Sequence, residues 1–201
     1  MSINRLLVLA VYIAFLAFTL MIVDKLLMTY CAKFLPGANK GGFTWIAFQA
    51  WAMYFLAGGK IIGGVRTLLG YAVGIIASAG IMEINKLLES VMPGNATFFA
   101  LPVAVFIIVI PVIMFEKLSL LLLDFVPAIF VGAGVFFAFM SMGLTLSGEG
   151  LLFTLTTDLT STAASYQTYL NAATTILAYC LLGLIYGWMT VGVRRKIAQE
   201  A

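Results

Sequence analysis

The chain has 201 residues, 63% of them hydrophobic and only 9% charged, with a formal net charge of +3 and a mean hydropathy of +1.12. Soluble domains carry about a quarter charged residues, so a water-soluble globule is excluded. Apolar runs of about 17–25 residues recur along the whole length, which predicts an all-α, polytopic membrane protein forming one transmembrane domain over 1–201. A β-barrel would show alternating segments of about ten residues instead.

The first predicted span, about 5–28, contains "RLLVLAVYIAFLAFTLMIV". It is long enough to cross a bilayer, has no small-residue cleavage site directly after it, and is followed by further spans. It therefore reads as a transmembrane helix and not as a signal peptide. It ends near Asp24, Lys25 and Lys33.

The second span, about 43–59, is "FTWIAFQAWAMYFLAGG", with Gln49 among Trp45, Phe48, Trp51 and Tyr54. A buried amide needs hydrogen-bond partners. Aromatics around it can frame a selective constriction, or form an interfacial belt with Gln49 as interhelical glue. The following "LAGGKIIGGVR" permits either a tight hairpin or a partly unwound segment that brings Lys60 or Arg66 to a solute.

The third span covers about 66–87 and carries Gly70 and Gly74 at GxxxG spacing, a pattern that lets helix backbones approach within or between protomers. Glu83 and Lys86 are spaced for a local ion pair. The fourth, about 96–115, has Pro102 and Pro111, which suggest kinks or a discontinuous helix.

The fifth span, about 118–142, opens with "LSLLLLDFVPAIFVGAG". Asp124 falls about 10 Å along that helix from Lys117. A carboxylate facing lipid costs about 2.5–3.5 kcal/mol, so Asp124 is expected to face the protein interior or water. Pro127 would free the carbonyl of Leu123 beside it. Together they suit a cation, an ammonium or amide donor, or a proton, although pairing of Asp124 with Lys117 or a neighbouring helix explains it equally well.

The stretch 145–168 is rich in Thr and Ser, carries Glu149 and Asp158, and has no Lys or Arg. It is either a solvated outer loop or an entry vestibule. The sixth span, about 169–193, has Gly183 and Gly187 at GxxxG spacing and ends in "RRK". Cys180 lies within it as a small packing residue. Cys31 is far from Cys180 in sequence, with no metal or redox spacing.

With both termini cytoplasmic, the inner side collects seven basic residues: Arg5, Lys60, Arg66, Lys117, Arg194, Arg195 and Lys196. The outer side collects four: Lys25, Lys33, Lys40 and Lys86. That bias predicts six spans in an N-in, C-in arrangement.

There is no histidine, which removes the commonest metal ligand and proton relay. No nucleophile stands beside a base. We therefore expect no metal, no cofactor and no enzymatic activity, and no basic-aromatic surface indicates nucleic acid.

The segments "YFLAGGKIIGG", "LLLDFVPAIFVGAG" and "LLGLIYGW" together resemble the YcdZ-like family of small bacterial inner-membrane proteins of unknown function. The resemblance implies a multi-pass inner-membrane location and supplies no substrate. Against that family the chain is longer between "SMGLTLSGEG" and "LLGLIYGW". Asp124 stands where the family has a small polar residue, so its charge does not carry over.

These features favour a channel or passive transporter for a small polar solute, of the urea/amide or small amine class, working as a homo-oligomer in the lipid bilayer. Asp124, Pro127, Gln49, Trp45 and Tyr54 are its expected pathway. The alternative is a non-transport scaffold or assembly partner.

Overall fold

A computed structural model describes residues 3–30, 42–92, 96–114, 117, 122–141 and 166–199. They form six α-helices: α1 (Ile3–Tyr30), α2 (Thr44–Leu56), α3 (Ile61–Val91), α4 (Ala96–Met114), α5 (Val126–Ser141) and α6 (Tyr166–Gln199). No strand occurs among the described residues. The chain is thus an all-helical membrane protein, with α1, α3 and α6 long and apolar enough to cross a membrane, and α4 and α5 shorter apolar helices.

Three expectations about the spans change. The predicted span 43–59 contains a helix of 13 residues, about 20 Å long against a hydrocarbon core of about 30 Å. Alone, α2 reaches only part of the way. In the predicted span 118–142, residues 122–125 are not helical and α5 begins at Val126. The Thr/Ser-rich segment lies outside the described residues as far as 165, and its last three residues already belong to α6.

Helix α3 is the hub of the bundle, packing most extensively on α5 and also on α4, α6 and α2, while α2 lies along α6. The two glycine pairs explain these partners. A Cβ on Gly70 would meet the side chain of Ala128 at 2.6 Å, and one on Gly74 would overlap the Ile129 carbonyl oxygen and approach the Ala133 nitrogen at 2.6 Å. On α6, a Cβ at Gly183 would overlap the Ala47 carbonyl, and one at Gly187 would meet the Tyr54 ring at 2.9 Å. Where apolar burial gives no net drive between helices, such backbone approach supplies dispersion contact instead. Both pairs are used inside the chain, so they lend no support to a homo-oligomer.

Helix directions follow from paired residues. Thr19 faces Tyr186, whose hydroxyl lies 3.3 Å from the Thr19 hydroxyl oxygen, and Asp24 faces Tyr179; α1 and α6 therefore run antiparallel. Ala47 lies by Gly183 and Gly59 by Val191, so α2 and α6 run in the same direction. One end of the bundle consequently gathers Lys60, Arg66 and the Arg194–Lys196 cluster, with the first turns of α1 and Arg5 toward it.

Between α2 and α3 the chain reverses tightly. Gly58 and Gly59 hold φ of +88° and +63°, values that only glycine adopts without steric cost. The N–H groups of Ala57, Gly58 and Gly59 donate back to the carbonyls of Met53, Phe55 and Tyr54. The hairpin reading of "LAGGKIIGGVR" holds. Arg195 fastens it by donating from Nη2 to the Gly59 carbonyl at 3.0 Å.

Candidate functional site

The carboxylate that the bundle encloses is Asp24, not Asp124. Along α1 the buried residues are Leu9, Leu16, Leu20 and Asp24, so Asp24 continues the inward stripe one helical turn beyond Leu20. Its side chain is 3% exposed. The Tyr179 hydroxyl donates to Asp24 Oδ1 at 2.5 Å and the Phe43 backbone N–H donates to the same oxygen at 3.3 Å. Oδ2 accepts no hydrogen bond among the described residues and lies against exposed Gly42, where any Cβ would overlap it.

Two helices aim at this group. Phe43 is the N-cap of α2 and receives no side-chain cap of its own. The carboxylate of Asp24 therefore meets the N-terminal end of α2, where unpaired N–H groups and the helix dipole favour negative charge. From α6, Tyr179 is buried and sets its ring edge-on to Phe43 at 5.6 Å, while Phe43 also touches Phe139 of α5 at 5.1 Å. Among the described residues the neighbours are aromatic rings and the two donors.

The depth of the site follows from α6. Tyr179 stands ten residues from Tyr169, about 15 Å, and fifteen from Arg194, about 22 Å in the other direction. Tyr169 marks a charged level of its own: its hydroxyl donates to Glu83 Oε1 at 2.8 Å, and Lys86 Nζ donates to the same oxygen at 2.7 Å. The expected Glu83–Lys86 pair is thus present, with Tyr169 as a third member. Asp24 lies between the two charged levels. No basic side chain among the described residues pairs with it. Lys33 and Lys40 fall in 31–41, outside those residues.

The predicted pathway residues are not brought together. Asp124 precedes α5 and is not inside it, which corrects the expectation of a carboxylate two turns into a span. It pairs with Arg66 of α3 at 3.5 Å, with both side chains more than a third exposed. Pro127 is the second residue of α5. In a first turn the missing N–H has no helical partner to lose, so Pro127 starts the helix, and no kink or freed Leu123 carbonyl results.

Gln49 points outward and is exposed, because α2 buries Ile46, Ala47, Ala50, Trp51, Met53 and Tyr54 against α6 and its neighbours. Among the described residues no hydrogen bond or ion pair links Asp124 to Gln49. Trp45 is half-buried beside the core. Tyr54 is 2% exposed and sits at the opposite end of α2, its ring held between Gly64 and Gly187. Pro102 and Pro111 both lie within helical residues of α4.

Sequence reasoning missed Asp24 because the charged pair Asp24-Lys25 looks like a span's end. The signal was its spacing of four and eight residues from Leu20 and Leu16, with "LLMTY" continuing the apolar run beyond.

The profile of a protein family described as proteins of unknown function, DUF1097, matches residues 8–193. That match does not bear on the YcdZ-like grouping. No curated protein and no solved structure matches the chain.

Proposed function

We propose that this chain, which belongs to the DUF1097 family, passes a small polar solute across the membrane, with Asp24 as the group that meets it. The observation that carries the reading is a buried carboxylate between the charged levels of a membrane bundle, bonded among the described residues through one oxygen only. Intramembrane acids of this kind are costly and mark solute or proton routes. A partial helix whose N-terminus faces the midplane is also a feature of solute sites in transporters.

The chemistry of Oδ2 selects for donors: a small ammonium compound or an amide such as urea can give it an N–H, whereas an anion would be repelled. The residues expected to carry the pathway are therefore Asp24, Tyr179 and Phe43, in place of Asp124, Pro127 and Gln49. In this proposal the chain crosses the membrane six times. The basic end at Lys60, Arg66 and Arg194–Lys196 faces the cytoplasm by the positive-inside rule, giving N-in and C-in. The bacterial inner membrane is the location implied by the family resemblance.

Flux into proteoliposomes tests this. Methylammonium and urea are expected to enter faster than into empty vesicles. Asp24→Asn is expected to cut methylammonium entry about tenfold, the loss of one charge-assisted contact. Equal rates in protein-containing and empty vesicles would refute passage of either solute.

A second reading has its own support. Asp24 also acts as a cap in trans for α2, through Phe43 and Tyr179, and this alone would suffice in a scaffold protein. In that case Asp24→Asn, which keeps Oδ1 as an acceptor, leaves any measured flux and the fold unchanged.

A further inference from the structure

At the basic end of the bundle the α2–α3 turn and the last turns of α6 enclose a cleft of about 320 Å³ lined by Phe55, Gly58, Gly59, Val191, Arg194 and Arg195. It adjoins a second space of about 220 Å³, which shares Gly59, Val191 and Arg195 and adds Tyr54, Lys60 and Ile61. Its donors are numerous. Lys60, Arg194 and Arg195 are exposed, and no carboxylate among the described residues pairs with any of them. Arg195 is oriented by its bond to the Gly59 carbonyl, which uses one nitrogen of a guanidinium that carries five N–H donors.

Helix α3 begins in this wall. Its N-cap is Lys60, whose side chain makes no cap hydrogen bond, and its first ladder bond runs from the Gly64 N–H to the Lys60 carbonyl. The N–H groups of Ile61, Ile62 and Gly63 therefore precede the ladder, at the positive end of the helix.

An independent observation points to a ligand. The Tyr54 hydroxyl is buried and has no hydrogen-bond partner among the described residues, although its residue lines the cleft. A buried hydroxyl without a partner has given up water for nothing, which is costly. The ring packs closely against Gly64 and Gly187.

We propose that this cleft binds a phosphate group, with Lys60, Arg194 and Arg195 supplying charge, the first turn of α3 supplying backbone donors, and Tyr54 donating its hydroxyl to a phosphate oxygen. Helix N-termini combined with cations are suited to this anion. Trp188, 57% exposed, lines the same wall. It is a residue type that settles at headgroup depth, so the phosphate of an anionic lipid and free phosphate are both chemically eligible sources. This site is independent of Asp24 and of transport.

Binding to the purified full chain in detergent tests the proposal, with dioctanoyl phosphatidic acid, dioctanoyl phosphatidylcholine and inorganic phosphate as probes. Phosphatidic acid is expected to bind at least about tenfold tighter than phosphatidylcholine. The Lys60→Gln/Arg194→Gln double variant is expected to lose about tenfold, and Tyr54→Phe about fivefold, the worth of about one hydrogen bond.

If inorganic phosphate competes and shows the same dependence on these variants, free phosphate is a sufficient ligand. If only the lipid binds with that dependence, the headgroup is the source. Binding that is equal for the two lipids and undetectable for phosphate overturns the proposal. So does binding unchanged in both variants, whose folding is checked by their melting temperatures.

Discussion

Asp24 and Asp124 are the two aspartates among the described residues, and they could hardly be placed more differently. Asp124 sits outside α5, more than a third exposed, against the Arg66 guanidinium. Asp24 sits inside α1, enclosed by aromatic rings and held by a hydroxyl and a backbone N–H. The first can exchange its partner for water, and exposed pairs of that sort contribute about 0–1 kcal/mol. The second has no such exchange, so its donors are obligatory. Helical phase decides burial, and the length of the surrounding apolar run does not.

Removing the buried acceptor is the most severe way to break this contrast. Asp24→Ala strands the Phe43 N–H and deprives the Tyr179 hydroxyl of an acceptor. It also leaves the N-terminus of α2 without its facing charge. The expected loss is about 2–4 kcal/mol, read as a lower midpoint in detergent or urea melts. The same truncation at Asp124 should shift that midpoint little. Equal losses at both positions would erase the distinction between them.

A second contrast concerns the glycines that bring helices together around the site. Gly183→Ala drives a Cβ into the Ala47 carbonyl, and Gly74→Ala drives one into the Ile129 carbonyl. The opposing atoms are helix backbone, which cannot rotate away. Each is expected to cost about 1–3 kcal/mol by overpacking. At Gly134 a Cβ has nothing within 4 Å, so Gly134→Ala should be neutral or stabilise by about 0.5–1 kcal/mol. The thermal midpoints of these variants in one detergent give the order. Gly183→Ala should also loosen α2 and so weaken the hold on Asp24, which Gly74→Ala should not.

Much of the architecture was legible because it depends on composition and period. Six helical segments, the pairing of Glu83 with Lys86, and the glycine hairpin at Gly58-Gly59 all follow from local rules. So does the collection of Lys60, Arg66 and Arg194–Lys196 at one end, since alternating helix directions place them there. The site was not legible in the same way. Pro127 looked like a kink because the apolar run begins at Leu118, and apolar letters alone do not reveal that the helix starts at Val126. Gln49 looked buried because its neighbours are aromatic, but α2 turns its buried face to Gly183 and Gly187 and leaves Gln49 outside. The phase of Asp24 with Leu16 and Leu20 was readable, but nothing local to α1 announces its partner Tyr179, which lies 155 positions away.

The smallest expected effect is the most discriminating. Asp124→Asn keeps the shape of the side chain and removes only its charge toward Arg66. The pair is separated by 3.5 Å and both groups reach solvent, so the melting midpoint should fall by no more than about 0.5 kcal/mol equivalent. Rates of methylammonium or urea entry should stay within about twofold of the parent, because an exposed charge is screened by water and salt. A large fall in flux from Asp124→Asn, with Asp24→Asn unaffected, would reverse the assignment. It would mean that the solute meets its carboxylate at the exposed end of α5 and that Asp24 serves only to hold α2 in place.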